Sequence, residues 1–312
     1  MNILMVGHSS SGKTSYMAGL YSIFGDDKDG IGITTYDQAK NKRLKMIAHD
    51  IRLGKYPTST DIASEYNFHL TINGDSIIPF NWYDYRGGAL SQSSKNSPEV
   101  AALVNKICEA NALIVFLDGE KIVQSTDDEL EEEYEILLWA IQKSIGSKNN
   151  NNYFPISFVM TKGDLYDDYS VLYESNGLDY FMPLIKNIKD GKAAAGMVTA
   201  CEVSSGGIYN IFPPLLFSLY YGMSDYIKKR INYLNSEIES YNKLWPNLLD
   251  DIFGELSEIF GSGSYKTDRQ QARESMAKIQ QEKNNLELLE SCQKGMKEQI
   301  DSWVEENVIL AF

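Results

Sequence analysis

Met1-Asn2-Ile3-Leu4-Met5-Val6-Gly7-His8-Ser9-Ser10-Ser11-Gly12-Lys13-Thr14 is the stretch on which the fold turns. It contains a complete G-x-x-x-x-G-K-[ST] pattern, with a strand-like apolar run before it and a helical pattern, Ser15 to Phe24, after it. Gly7 and Gly12 allow a sharp turn that points successive N–H groups inward, and the following helix start adds its positive dipole end. Ser10, Ser11, Gly12 and Ser15 then supply backbone donors to an anion. Lys13 can reach terminal phosphates, and the Thr14 hydroxyl is suited to ligate Mg²⁺. Such a pattern also arises by chance in Gly/Ser-rich loops, but the placement between a strand and a helix argues for phosphate binding.

Working outward, strand-like runs recur between helical patterns at Glu65–Ile72, Ile77–Tyr83, Ala112–Leu117, Ile156–Met160 and Met197–Val203. The third and fourth of these are continuously apolar, as strands covered on both faces are. The run 65–72 alternates instead (Tyr66, Phe68, Leu70, Ile72), and Asn73-Gly74-Asp75 offers a hairpin turn into the next. The pattern predicts an α/β fold with a mixed, mostly parallel sheet flanked by helices. Helices are expected over Asp37–Leu53, Glu99–Glu109, Asp127–Ser144 and Leu178–Lys189. The acidic start of the third (Asp127-Asp128-Glu129, Glu131-Glu132-Glu133) reads as a solvated helix N-terminus favoured by the macrodipole.

Beyond Gly222 the periodicity changes. Ile227, Ile231, Leu234, Ile238, Tyr241, Trp245, Leu248 and Ile252 follow a 4-3 spacing, with Pro246 expected to kink the helix. Gly261–Thr267 reads as a loop, and a second seam runs through Met276, Ile279, Leu286, Leu289, Met296, Ile300 and Trp303. The expected division is therefore 1–222 as the nucleotide domain and 223–312 as a C-terminal helical hairpin. That hairpin either packs on the first domain or serves self-association or a protein partner.

Composition excludes several classes. A formal charge of −14 opposes undirected affinity for nucleic acid or an anionic membrane, although a local basic patch remains compatible with it. Three widely spaced cysteines and three histidines give no disulfide framework and no His- or Cys-rich metal centre. With the first strand expected from residue 2, no signal peptide is expected, and the apolar stretch 208–223 carries Pro213-Pro214 and several tyrosines, unlike a membrane span. A reducing cytoplasm is the expected location.

Further segments select the base. Trp82-Tyr83-Asp84-Tyr85-Arg86-Gly87 places D-x-x-G at a strand end, where Asp84 is suited to Mg²⁺ and the Gly87 N–H to a γ-phosphate. Thr161-Lys162-Gly163-Asp164 follows another strand, about eighty residues on. A carboxylate at Asp164 accepts from both N1–H and the 2-amino group of guanine, whereas adenine would leave it desolvated and unpaired. Lys162 would cover the ring plane. Ser204-Ser205-Gly206, after the last run, would offer a backbone N–H to guanine O6.

With these motifs the chain resembles the Ras-like, TRAFAC-class P-loop GTPases over roughly residues 1–222. The long region between the phosphate loop and the second strand looks like that of bacterial double-GTPase proteins of conflict and defence gene clusters. The resemblance implies a G domain binding GTP or GDP with Mg²⁺. It also implies a switch threonine that ligates the metal, for which Thr60 is the first candidate and Thr58 the reserve. The family's catalytic glutamine is replaced by Gly88, so hydrolysis is expected to be slow. Arg86, Ser10 or a partner's group could compensate, with Lys13 stabilising phosphate charge; Arg86 reads more readily as a solvated side chain, and His8 as a loop position without catalytic role. Three alternatives stand beside the slow GTPase switch: a dynamin-like mechanochemical GTPase, a non-hydrolysing GTP-binding module, and an ATP-dependent nucleotide kinase.

Overall fold

A computed structural model describes residues 1–25, 30–58, 64–72, 75–85, 94–148, 154–190, 194–244 and 268–312. The chain divides into two compact units, one comprising Met1–Met223 with Met296–Phe312 and the other Ser224–Gly295. The last stretch of the expected helical arm therefore belongs to the first unit.

In chain order the first unit holds β1 (Asn2–Val6), α1 (Lys13–Phe24), β2 (Ile31–Thr34), α2 (Gln38–Arg52), β3 (Ser64–Ile72), β4 (Asp75–Asp84), α3 (Pro98–Glu109), β5 (Ala112–Asp118), α4 (Gly119–Gln124) and α5 (Asp127–Ser147). It continues with β6 (Phe154–Thr161), α6 (Ser170–Tyr173), α7 (Asn176–Asp190), β7 (Ala194–Ala200), β8 (Glu202–Val203) and β9 (Ile208–Tyr209). Helices α8 (Phe212–Leu244) and α9 (Asp268–Glu305) each have residues in both units, and β10 (Leu310–Ala311) is the last strand.

One eight-stranded sheet has the order β10-β7-β6-β5-β1-β4-β3-β2. Strands β4, β1, β5, β6 and β7 run parallel, while β3 is antiparallel to β4, β2 to β3 and β10 to β7. The expected mixed, mostly parallel sheet is the one observed. Alternation sorts the buried strand residues onto two faces. Leu4, Val6, Leu113, Val115, Leu117, Phe158 and Met160 join a core with Leu103, Tyr134, Leu137 and Phe181 of α3, α5 and α7. On the other face Tyr16 of α1 meets Phe116 at 5.0 Å and Trp82 at 6.2 Å, ring centre to ring centre. The Tyr16 hydroxyl donates to the Ile211 carbonyl at 2.5 Å, satisfying a fully buried phenol.

Local chemistry sets the helix starts. Asp37 caps α2 by accepting from the Ala39 and Lys40 amides, both at 3.0 Å. Thr126 and Glu129 form a reciprocal capping box at α5, which accounts for part of the acidic run. Two expectations change. The strand expected over 197–203 ends at Ala200; Glu202–Val203 pairs instead with Ile208–Tyr209, so Ser204-Ser205-Gly206 is the turn of a separate hairpin. No strand was expected between α1 and α2, whereas β2 lies there, on the edge of the sheet.

In the second unit the seam spacing appears as burial. Ile227 and Leu234 are inside and Ile231 and Ile238 partly so, with exposed residues between them. Arg230 of α8 makes two hydrogen bonds to Glu282 of α9, at 2.6 and 3.0 Å. Pro246 and the Gly261–Thr267 loop lie outside the described residues.

Candidate functional site

The five parallel strands point their C-terminal ends the same way, and residues that follow β1, β6 and β7 gather there. A cavity of about 390 Å³ opens among them, lined by Ser9 to Tyr16, Tyr56-Pro57-Thr58, Glu120, Thr161, Lys162, Asp164, Leu165, Cys201 and Val203. The two motifs lying about 150 residues apart in the chain thus face one space.

The loop after β1 is shaped by two glycines. At Gly7 (φ +153°) a Cβ would lie 2.6 Å from the Phe116 carbonyl oxygen, and at Gly12 (φ +80°) it would press on the Thr161 side chain at 3.1 Å. Ser10 also takes a left-handed conformation (φ +65°), a position in which a non-glycine residue is strained. Lys13 is buried and curls back, donating to the Gly7 and His8 carbonyls at 2.8 and 2.7 Å. Burial lowers its pKa, and the nearby Asp84 charge acts the other way. Gly12 caps α1, and Thr14 and Ser15 follow in its first turn on the cavity wall. His8 turns away from the cavity. Its ring meets Tyr134 edge-on at 5.2 Å, and burial, with Lys121 and Lys13, holds its pKa down to about 4.

Asp84 ends β4, buried, with Oδ1 bonded to nothing. Burial raises its pKa to about 6, against the pull of Lys13 and of Arg43 on α2. An orphaned carboxylate oxygen beside a lysine is an arrangement that a hard divalent cation completes. Among the described residues there is no group of three His, Cys, Asp or Glu side chains suited to hold a metal alone. Thr60, Arg86, Gly87 and Gly88 lie outside the described residues; Thr58, the reserve switch threonine, lines the cavity.

Thr161 ties the two loops together, its hydroxyl lying 3.2 Å from the Ser11 carbonyl and 3.1 Å from that of Leu117. Lys162 takes φ +59°, and its ammonium reaches Asp118 at 2.8 Å and Glu120 at 3.1 Å. Those two acids fix the lysine stem along the cavity edge. Sequence reading missed them, though a lone Asp closing a fully buried apolar strand was the available signal. The Gly163 amide donates to the Cys201 carbonyl at 3.0 Å, and a side chain at Gly163 would strike the Tyr169 ring at 2.8 Å. Asp164 stands on the cavity rim.

Ser204 and Ser205 do not line the cavity; Cys201 and Val203 take that place. The Ser204 amide is already committed to the Gly207 carbonyl at 2.9 Å, and its hydroxyl to Glu202 at 2.6 Å. In this arrangement the Ser204 N–H already has its acceptor. The cavity as built can hold a phosphate chain at its α1 end and a planar base at its Lys162–Asp164 end.

A family model described as Double-GTPase 2 matches residues 2–206. No curated protein matches the sequence. Among solved structures, the S. cerevisiae Ski7 GTPase-like domain bound to GTP is 11% identical with TM-score 0.39, over 65% of this chain and 42% of that one. The chain thus spans less than half of that relative's length. The mammalian SRP receptor is 12% identical with TM-score 0.37, over 67% and 93% of the two chains. A GDP-bound variant of S. thermophilus NFeoB is 10% identical with TM-score 0.34, over 97% and 98%.

Proposed function

The chain belongs to the Double-GTPase 2 family, and on that premise we propose that it is a Mg²⁺-dependent GTP-binding switch, hydrolysing GTP to GDP and phosphate slowly or when a partner stimulates it. One observation carries the reading: the phosphate loop and the Thr161–Asp164 loop line a single cavity. Gly7, Ser10, Ser11, Gly12 and Ser15 would form the phosphate cradle, and Lys13 would leave the Gly7 and His8 carbonyls for the β- and γ-phosphates. Asp164 would accept from the guanine edge, and Lys162, restrained by Asp118 and Glu120, would cover its face.

Thr14 and Asp84 would hold Mg²⁺, with Thr60 or Thr58 joining from the segment after α2. The ion would neutralise charge on the terminal phosphates. Thr60 and the 84–95 region would order around the γ-phosphate and relax after hydrolysis, and the helices of the second unit would pass the state to a partner or a second copy. A cytoplasmic setting belongs to the same proposal. Gly88 offers no side chain to orient water, and an intrinsic rate no faster than about 10⁻⁴ s⁻¹ is expected, with Arg86 or Ser10 as in-chain contributors.

Single-turnover hydrolysis on purified protein tests this. With Mg²⁺, GTP should be cleaved slowly but above the rate in buffer, and Lys13→Ala or EDTA should remove the excess. A rate equal to that of GTP in buffer, with GTP still bound, would make the chain a non-hydrolysing module instead.

A further inference from the structure

Behind the base end of the cavity, the last in-sheet residues of β7 are held in an unusual way. The β10–β7 register pairs Leu310 with Val198 and Ala311 with Met197, and the Phe312 and Gly196 amides exchange hydrogen bonds at 2.9 and 2.8 Å. Extended by two residues, that register sets Val308 opposite Ala200. No direct ladder bond joins them. The Tyr173 hydroxyl sits between, accepting from the Ala200 amide at 2.9 Å and donating to the Val308 carbonyl at 3.2 Å. Thr199 donates to the same carbonyl at 3.2 Å. The phenol thus acts as a one-atom wedge in the ladder, opening β7 from the last strand just where the chain leaves the sheet.

The next residue, Cys201, is where that opening matters. Its amide bonds Met160 of β6 at 2.8 Å, its carbonyl takes the Gly163 amide, and it forms part of the cavity wall. Ala200 and Cys201 are therefore held at the Cys201 carbonyl by the Gly163 amide and at the Ala200 amide by the Tyr173 hydroxyl. Tyr173 reaches it on α6, a helix that begins soon after Asp164, where the Ser170 amide bonds Asp168 at 2.9 Å.

We infer that Tyr173 is a positioning residue for guanine: by bridging Ala200 and Val308 it sets the Cys201 wall, and through the Cys201 carbonyl the Gly163–Asp164 loop, at the place where the base edge is read. This rests on the proposal that Asp164 recognises guanine. Tyr173 touches no nucleotide. Its effect falls on the base end, because its hydrogen bonds lead through Ala200 and the Cys201 carbonyl to Gly163, whereas Lys13 holds the phosphate loop through the Gly7 and His8 carbonyls.

Tyr173→Phe keeps the ring and removes the wedge, leaving the Ala200 N–H without its acceptor. The experiment measures release rates of fluorescent GDP and IDP, the latter lacking the 2-amino group, together with the melting midpoint of nucleotide-free protein. Tyr173→Phe should speed GDP release about tenfold and IDP release less than about threefold, so that the preference for GDP shrinks. Thr199→Val, which removes the Thr199 hydroxyl's bonds to the Val308 and Ala200 carbonyls but keeps the Tyr173 hydroxyl between Ala200 and Val308, should leave the preference intact. Equal acceleration of both nucleotides, or a lower melting midpoint with unchanged release, would make Tyr173 a structural prop and overturn the inference. Wild-type protein that holds IDP as well as GDP would overturn the guanine reading itself and the inference with it. A wild-type preference for GDP that survives Tyr173→Phe would overturn the inference alone.

Discussion

Asp84 carries a carboxyl whose pKa burial lifts from 3.8 to about 6, so folding takes up a proton between those values. Stability of the ligand-free protein should therefore fall as pH rises from about 4 to about 6 and stay low above it, where the buried carboxylate is ionised. Asp84→Asn removes that penalty. It should stabilise ligand-free protein by on the order of 2 kcal/mol above pH 7 and by nothing below pH 4, read from urea midpoints across pH. The same variant should weaken Mg²⁺-dependent nucleotide binding, a gain and a loss of opposite sign that mark a residue kept for its ligand. A flat pH profile for the difference would contradict this account of Asp84. Gly7 makes the complementary case in the backbone, since a Cβ there meets a carbonyl oxygen and not a movable side chain. Gly7→Ala should cost more than about 2 kcal/mol in the same assay.

At the scale of elements, legibility followed the strength of the local signal. Strands β1, β5 and β6 were readable because continuous apolar runs end in loops with recognisable chemistry, and β3–β4 because alternation and a turn sit side by side. Strand β2 escaped because Ile31-Gly32-Ile33-Thr34 is short and owes its state to pairing with β3, a partner distant in sequence. The end of β7 was misplaced because Ala200-Cys201-Glu202-Val203 reads as one run. In the fold, Cys201 still bonds Met160 while Glu202 turns into the hairpin. That shift carried the Ser204 assignment with it. Phosphate and base motifs were legible as residues, but their meeting in one cavity was not, since it depends on the parallel register. Thr161 joins two of those loops directly. Thr161→Val should lower stability by roughly 1 kcal/mol by calorimetry and weaken ATP and GTP alike, because it shifts the phosphate loop rather than the base edge. Loss confined to GTP would contradict that role.

For the whole molecule, the net charge of −14 hides an uneven distribution: α2 brings Lys40, Lys42, Arg43, Lys45 and Arg52 into the long region after α1, and Arg43 acts on Asp84. Among the described residues no helix is long and apolar enough to cross a membrane. The second unit rests on burial more than on charge. The Arg230–Glu282 pair is over one-third exposed on each side, so Arg230→Ala should change stability by less than about 1 kcal/mol. Leu234→Ala, at a fully buried seam position, should cost about 2–5 kcal/mol, and thermal melting orders the two. The central claim, that one cavity reads both phosphates and guanine, is tested most directly by calorimetric titration of wild type and Asp164→Ala with GTP and ATP in Mg²⁺. Wild type should prefer GTP by at least about a hundredfold, and Asp164→Ala should lose that preference while still binding ATP as wild type does. Equal affinity of wild type for the two nucleotides, or a preference untouched by Asp164→Ala, would contradict it.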